Sequence, residues 1–179
     1  MINLKKITVV LAILMIFILN DNQVESIIIP NEAIRVRVIA NSNEDNDIEV
    51  KENVKKDVSE KIYYLLKDVK TIDEARKILQ ENIPEIDITV ERSLKSQNYH
   101  KNYSVNYGLN YFPEKNFKGI TYAEGYYESL VVSIGEAKGD NWWCVLFPPL
   151  CMLEFEDIEK SEIDYKSFVG EILDKYINN

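Results

Sequence analysis

Asn102-Tyr103-Ser104-Val105-Asn106-Tyr107-Gly108-Leu109-Asn110-Tyr111 alternates without a break between a large apolar or aromatic side chain and a small or polar one. A period of two puts Tyr103, Val105, Tyr107, Leu109 and Tyr111 on one face of an extended chain, whereas a helix would scatter them around its axis. This is the cleanest strand of the sequence, and it commits the fold to a sheet.

Further along, Tyr126–Ile134 alternates again, with Leu130, Val132 and Ile134 inward. Gly135–Asp140 carries two glycines of a turn ahead of a further strand, Asn141–Phe147. Toward the N-terminus, Ile86, Ile88 and Val90 alternate after Pro84 and predict a short strand. Before that the period is helical. Ile48, Val54, Val58, Ile62, Leu65, Leu66 and Val69 recur at spacings of three, four or their multiples, with Asn46 and Glu49 as a capping box. Thr71 and Glu74 repeat that box before Ile72, Ala75, Ile78 and Leu79, and Pro84 lies just past the end. Ala33–Ala40 is a half-buried strand with Ile34, Val36 and Val38 on its apolar face and Arg35 and Arg37 on the other, open one. Tyr165, Phe168, Val169, Ile172, Leu173 and Tyr176 predict a closing helix. Helices and strands come in runs, which predicts an α+β fold: a mainly antiparallel sheet of about five strands with helices packed on one face.

With 179 residues the chain is large enough for one domain. Its first residues carry Lys5 and Lys6, then an uncharged run from Ile7 to Leu19. Such a run, as a helix, reaches about 20 Å against a hydrocarbon core of about 30 Å, so it suits a signal peptide better than a spanning helix. Residues 1–26 are expected to be a signal peptide or a short N-terminal anchor, and 27–179 a single exported domain that meets membrane only through that segment. The excess of 30 acidic over 21 basic residues, net charge -9, excludes a nucleic-acid interface.

Gly139–Cys151, GDNWWCVLFPPLC, concentrates both tryptophans and both cysteines of the chain. Trp142, Cys144 and Leu146 fall on one face of the strand and Trp143, Val145 and Phe147 on the other, so both faces are apolar. The second face must be covered by a loop, the terminal helix or another protein. In an exported chain Cys144 and Cys151 are disulfide candidates if Pro148-Pro149 turns the chain back; the alternative is two free or buried thiols. Trp142, Trp143, Phe147, Pro148 and Pro149 are also stiff apolar groups of the kind that anchor interfaces, and they are the candidate partner-binding residues, the alternative being a structural corner.

No catalytic set stands out. His100 is the only histidine, lies between two strands, and can meet Cys144 only through the fold. Two cysteines and one histidine do not make a zinc pattern, and Glu44, Asp45 and Asp47 lack the glycine and spacing of a calcium loop, reading instead as a helix start. No glycine-rich phosphate loop follows a strand. No catalytic residue, metal or cofactor is expected.

Read together, AIRVRVIANSN (33–43), YFPEKNFKGITYAEGYYESLVVSIGEAKG (111–139) and NWWCVLFPPLC (141–151) resemble stage II sporulation protein R, in that order. The family-motif positions include Arg35, Arg37, Asn41, Ser42, Gly135, Glu136, Gly139 and Asn141. The resemblance implies a secreted signalling protein made in the forespore and delivered to the intermembrane space between forespore and mother cell. There it triggers a membrane-embedded aspartic peptidase, the sigma-E-processing enzyme, to act on pro-sigma-E. An exported hydrolase using Cys144 or a carboxylate pair at the cell wall is the alternative.

Overall fold

The structure is a computed structural model, and it describes residues 32–117, 120–151, 170–172 and 174–176. Strand β1 (Ile34–Ile39) leads into three helices, α1 (Asp45–Leu66), α2 (Ile72–Glu81) and α3 (Ile83–Ser96). Strands β2 (Tyr103–Phe112), β3 (Lys115–Phe117), β4 (Ile120–Tyr122), β5 (Gly125–Ile134) and β6 (Asn141–Phe147) follow. The main sheet has four strands in the order β2-β5-β1-β6, and β3 and β4 form a separate two-stranded hairpin.

The α+β class agrees with the sequence, and the sheet pairing corrects it. β5 pairs with β2 and β6 with β1 antiparallel, but β1 and β5 run parallel, from Arg35 opposite Ser129 to Ile39 opposite Ser133. The sheet is therefore mixed. Between β1 and its parallel neighbour β5 the chain makes three helices, the edge strand β2 and the β3–β4 hairpin, a connection long enough for a parallel pair.

The helices form the covering layer through their buried stripes. α1 buries Val50, Val54, Val58, Ile62 and Leu66, one side chain every four residues. Against them lie Val36 and Val38 of β1 and Leu130, Val132 and Ile134 of β5, all within 1% of full burial. At about 1.5–3 kcal/mol for each large apolar side chain, this layer supplies most of the driving force. α2 begins as expected, with Thr71 Oγ1 accepting from the Glu74 N–H at 3.3 Å. α1 does not. Its N-cap is Glu44, without a side-chain cap, and Asn46 lies inside the helix.

The strand expected at Ile86–Val90 is instead the middle of α3. Ile86, Val90 and Leu94 fall on one buried helical stripe, whereas Ile88, which a strand would have buried beside them, is 46% exposed. Pro84 lies just past the end of α2, as expected, and at the same time stands in the first turn of α3, where its missing N–H costs nothing.

A bidentate ion pair fixes α2 over the sheet. Arg76 Nε donates to Glu128 Oε1 at 2.9 Å and one terminal guanidinium nitrogen to Oε2 at 2.8 Å, while Tyr107 donates to Glu128 Oε1 at 2.7 Å. Within the expected closing helix, 170–172 and 174–176 are helical, and Tyr176 sets its ring edge-on to Phe147 at 5.4 Å. Residues 1–26 lie outside the described residues.

Candidate functional site

β5 and β6 flank β1 on opposite sides, so the chain between them must cross the end of β1. The crossing segment, 135–140, is stitched to residues 40–43. Gly139 N–H donates to Ala40 O at 3.0 Å, Lys138 N–H to Asn41 O at 3.1 Å, and Asp140 N–H to Asn43 Oδ1 at 2.6 Å. Asn41 works in both directions: its Oδ1 accepts from the Glu136 N–H at 3.0 Å, and its Nδ2 donates to Asp47 Oδ2 at 2.5 Å.

Asp47 is the hub of this end of the molecule. Only 2% exposed, it also accepts from Ser42 Oγ at 2.6 Å and from the Tyr99 hydroxyl at 2.6 Å, with Lys101 Nζ at 3.6 Å. Burial alone would push its pKa up, but the hydrogen bonds from Ser42, Tyr99 and Asn41 and the charge of Lys101 outweigh it and hold the carboxyl well below the usual range. Tyr99 moves the other way, raised by its own burial and by its bond to the Asp47 carboxylate. Gly135 takes the left-handed φ of +58°, and a Cβ there would overlap the Asn41 side chain; one on Gly139 would overlap the backbone of Ser42.

On the sheet face away from the helices, Arg35 is 2% exposed, with its guanidinium 3.3 Å from the ring centroid of Tyr127 and 5.7 Å from that of Phe112. Among the described residues its guanidinium nitrogens meet no conventional hydrogen-bond acceptor, and desolvation, partly offset by Tyr127, lowers its pKa. Beside it, Arg37 lies 5.7 Å from the ring centroid of Trp143. Phe112 packs edge-on against Trp143 at 5.1 Å, and Lys115 Nζ stands 5.0 Å over the same indole. Trp143 Nε1 donates to Asn141 Oδ1. The second apolar face of β6 is thus roofed by the end of β2 and by Lys115 of the hairpin, which answers the question of its cover.

Parity divides the tryptophans. Trp142 opposes Val38 and packs against the core, with Lys55 Nζ 5.1 Å over its ring, whereas Trp143 opposes Arg37 on the other face. A register shift between Ile34 and Arg35 leaves Leu146 unpaired, so Phe147 comes opposite Ile34 and turns into the core. Pro148 follows a cis peptide and is buried; Pro149 is partly exposed. Cys144 and Cys151 are joined by a disulfide with their Cα atoms 5.7 Å apart, so the proline corner does reverse the chain.

A family model described as stage II sporulation protein R matches residues 30–157. The chain belongs to the stage II sporulation protein R family. Stage II sporulation protein R of Bacillus subtilis (strain 168) is 34% identical over 140 residues, 78% of this chain and 62% of that protein's length. No solved structure matches the chain.

Among the residues that carry the stage II sporulation protein R resemblance, the structure brings Asn41, Ser42, Gly135, Glu136 and Gly139 into one polar knot and Arg35, Arg37 and Asn141 into the aromatic face. Arg35 and Arg37, expected on the open side of a half-buried strand, sit on a central strand covered on both sides. The expected partner residues do not form one surface, since Phe147 is 2% exposed and Trp142 and Trp143 face opposite ways. Sequence reasoning missed Asp47 and Tyr99. Asp47 stood among other acids at a helix start, and only its three-residue offset from Val50 on the buried stripe hinted that it points inward. Among the described residues no group of three or more His, Cys, Asp and Glu side chains is placed to hold a metal ion.

Proposed function

We propose that this chain is an exported signal of sporulation that crosses to the space between forespore and mother cell and activates a membrane-embedded aspartic peptidase, which then processes pro-sigma-E. The observation that carries this reading, alongside family membership, is the employment of the family-motif residues. Asn41, Ser42, Gly135, Glu136 and Gly139 spend their polar groups on closing the crossing over β1, around a carboxylate whose oxygens are taken by three donors. Groups occupied in this way hold a shape; they are not left facing a cleft as reacting groups are. What the shape presents is Trp143, half-buried between Phe112, Arg37 and Lys115, an aromatic group with cations beside it that suits a partner surface. The hydrolase reading is less favoured because the Cys144 sulfur is bonded to Cys151.

The test is reconstitution of pro-sigma-E processing in membranes holding the peptidase, with and without the full chain. Processing should depend on the added chain. Trp143→Ala should lower it by about tenfold or more while costing under about 2 kcal/mol of stability, whereas Trp142→Ala, on the core side, should lose activity only as it loses stability. Processing that is unaffected by the chain refutes the signalling reading.

A further inference from the structure

Among the described residues β2 is an edge strand, and it has none of the usual defences of one. Natural sheets protect their edges with charges, prolines, bulges, short strands or a covering segment. The ten residues of β2 hold no charged residue and no proline, and their ladder with β5 runs from Tyr103 to Phe112 without a register shift. Ser104, Asn106, Leu109 and Tyr111 are exposed, Leu109 at 74%. The opposite edge is treated differently. β6 has seven residues, and its chain turns back so that the Cys151 sulfur lies 2.9 Å from the Val145 carbonyl oxygen.

The start of the β2 ladder tells which backbone groups are free. Gly135 N–H donates to Asn102 O at 2.6 Å, so by the alternation of antiparallel pairs the N–H and C=O groups of Val105, Tyr107 and Leu109 point away from β5. They form a template for one more strand. The surroundings then select the occupant. Tyr103, Tyr107 and Tyr111 stand on one face of β2, and each hydroxyl donates to a carboxylate: Asp87 at 3.2 Å, Glu128 at 2.7 Å and Glu124 at 3.1 Å. Arg76 neutralises Glu128. Two copies of this chain paired antiparallel through β2 would bring Asp87 of one near Glu124 of the other, so self-pairing is opposed by charge. An extended segment with basic flanks would meet both carboxylates favourably.

We infer that the outer edge of β2 is a strand-addition site for an extended, lysine- or arginine-flanked segment of a partner protein. Main-chain hydrogen bonds from Val105, Tyr107 and Leu109 give the affinity, and the carboxylates beside the tyrosines give the preference for basic flanks. This inference rests on the signalling reading for its biological partner; its chemistry does not.

The test uses the full chain and a strand-length synthetic peptide of alternating Thr and Val flanked by lysines, with a glutamate-flanked twin and a twin N-methylated at alternate residues. The lysine peptide should bind and slow hydrogen exchange at Val105, Tyr107 and Leu109, and both twins should bind about tenfold more weakly or worse. Leu109→Pro removes one outward N–H and should abolish binding. If that variant does not fold, Leu109→Lys, which leaves the backbone intact and repels the basic flanks, decides in its place. Equal binding of the glutamate twin, protection elsewhere, or no binding by any peptide overturns the proposal. In reconstituted processing, a Leu109→Lys chain as active as the parent refutes the edge as the receptor site while leaving the signalling reading standing. Peptide binding without any stimulation of processing refutes the signalling reading alone.

Discussion

Replacing Asp47 is the sharpest perturbation of the polar knot. Asp47→Ala leaves the side chains of Asn41, Ser42 and Tyr99 without the acceptor they now reach at 2.5–2.6 Å. A buried donor without an acceptor costs about 1–3 kcal/mol, and water entering the small void returns part of it, so the expected loss is about 3–5 kcal/mol. That is a large fraction of the 5–15 kcal/mol typical of a domain. Asp47→Asn should cost only about 1–2 kcal/mol, because its oxygen can still serve Asn41 and Ser42 while the Tyr99 hydroxyl rotates to accept from the new amide. The pH dependence separates charge from shape. Asp47 is held below its unfolded value of about 3.9, so its contribution is complete above that pH and is lost as pH falls below it. Tyr99 is raised above its unfolded value of about 10, so its contribution is complete below that pH and fades as pH rises beyond it. Urea unfolding between pH 2.5 and 11 reads both limbs, and Asp47→Asn should show a shallower acid limb than the parent. An Asp47→Ala chain within about 1 kcal/mol of the parent at pH 7, or an unchanged acid limb in Asp47→Asn, refutes the reasoning.

Gly139→Ala, whose Cβ meets the Ser42 backbone, and Gly135→Ala, at φ +58°, should each cost about 2 kcal/mol or more, whereas Gly108→Ala, with its nearest atom at 3.9 Å, should cost under about 1; chemical denaturation compares them. Serine at both Cys144 and Cys151 removes a cross-link at sequence separation 7 and should lower stability by roughly 2–3 kcal/mol, read as the difference between oxidised and variant chains. Arg35→Met should be close to neutral, because among the described residues the buried guanidinium meets no conventional acceptor and methionine fills similar space, whereas Arg35→Ala should cost about 2–4 kcal/mol for the void it leaves; a Met variant as damaged as the Ala variant shows that the charge itself stabilises the face.

Family membership was legible in three stretches, and much of the local structure in its periods. The alternation of β2 and β5, the stripe of α1 and the Thr71 cap of α2 all depend on residues within a turn or two of one another, which is why a linear reading finds them. The cysteine pairing was also in reach, since only the Pro148-Pro149 reversal was needed to bring the two together. Short apolar runs were not decidable in this way. Ile86 and Val90 fit either period while Ile88 fits only the strand, and α3 wins because Leu94 completes a stripe against α1 that a strand could not bury. Tertiary structure alone decided three things. Alternation tells which side of a strand is apolar and nothing about its neighbour, so the parallel pairing of β1 with β5 was invisible. Arg35 looked like a solvated charge because its cover, Phe112 and Tyr127, lies far along the chain. Asp47 looked like one acid among several, and became the hub only when the crossing over β1 brought Asn41, Ser42 and Tyr99 around it, since hydrogen-bond partners of a buried charge are set by the path of the backbone and not by the residues beside it.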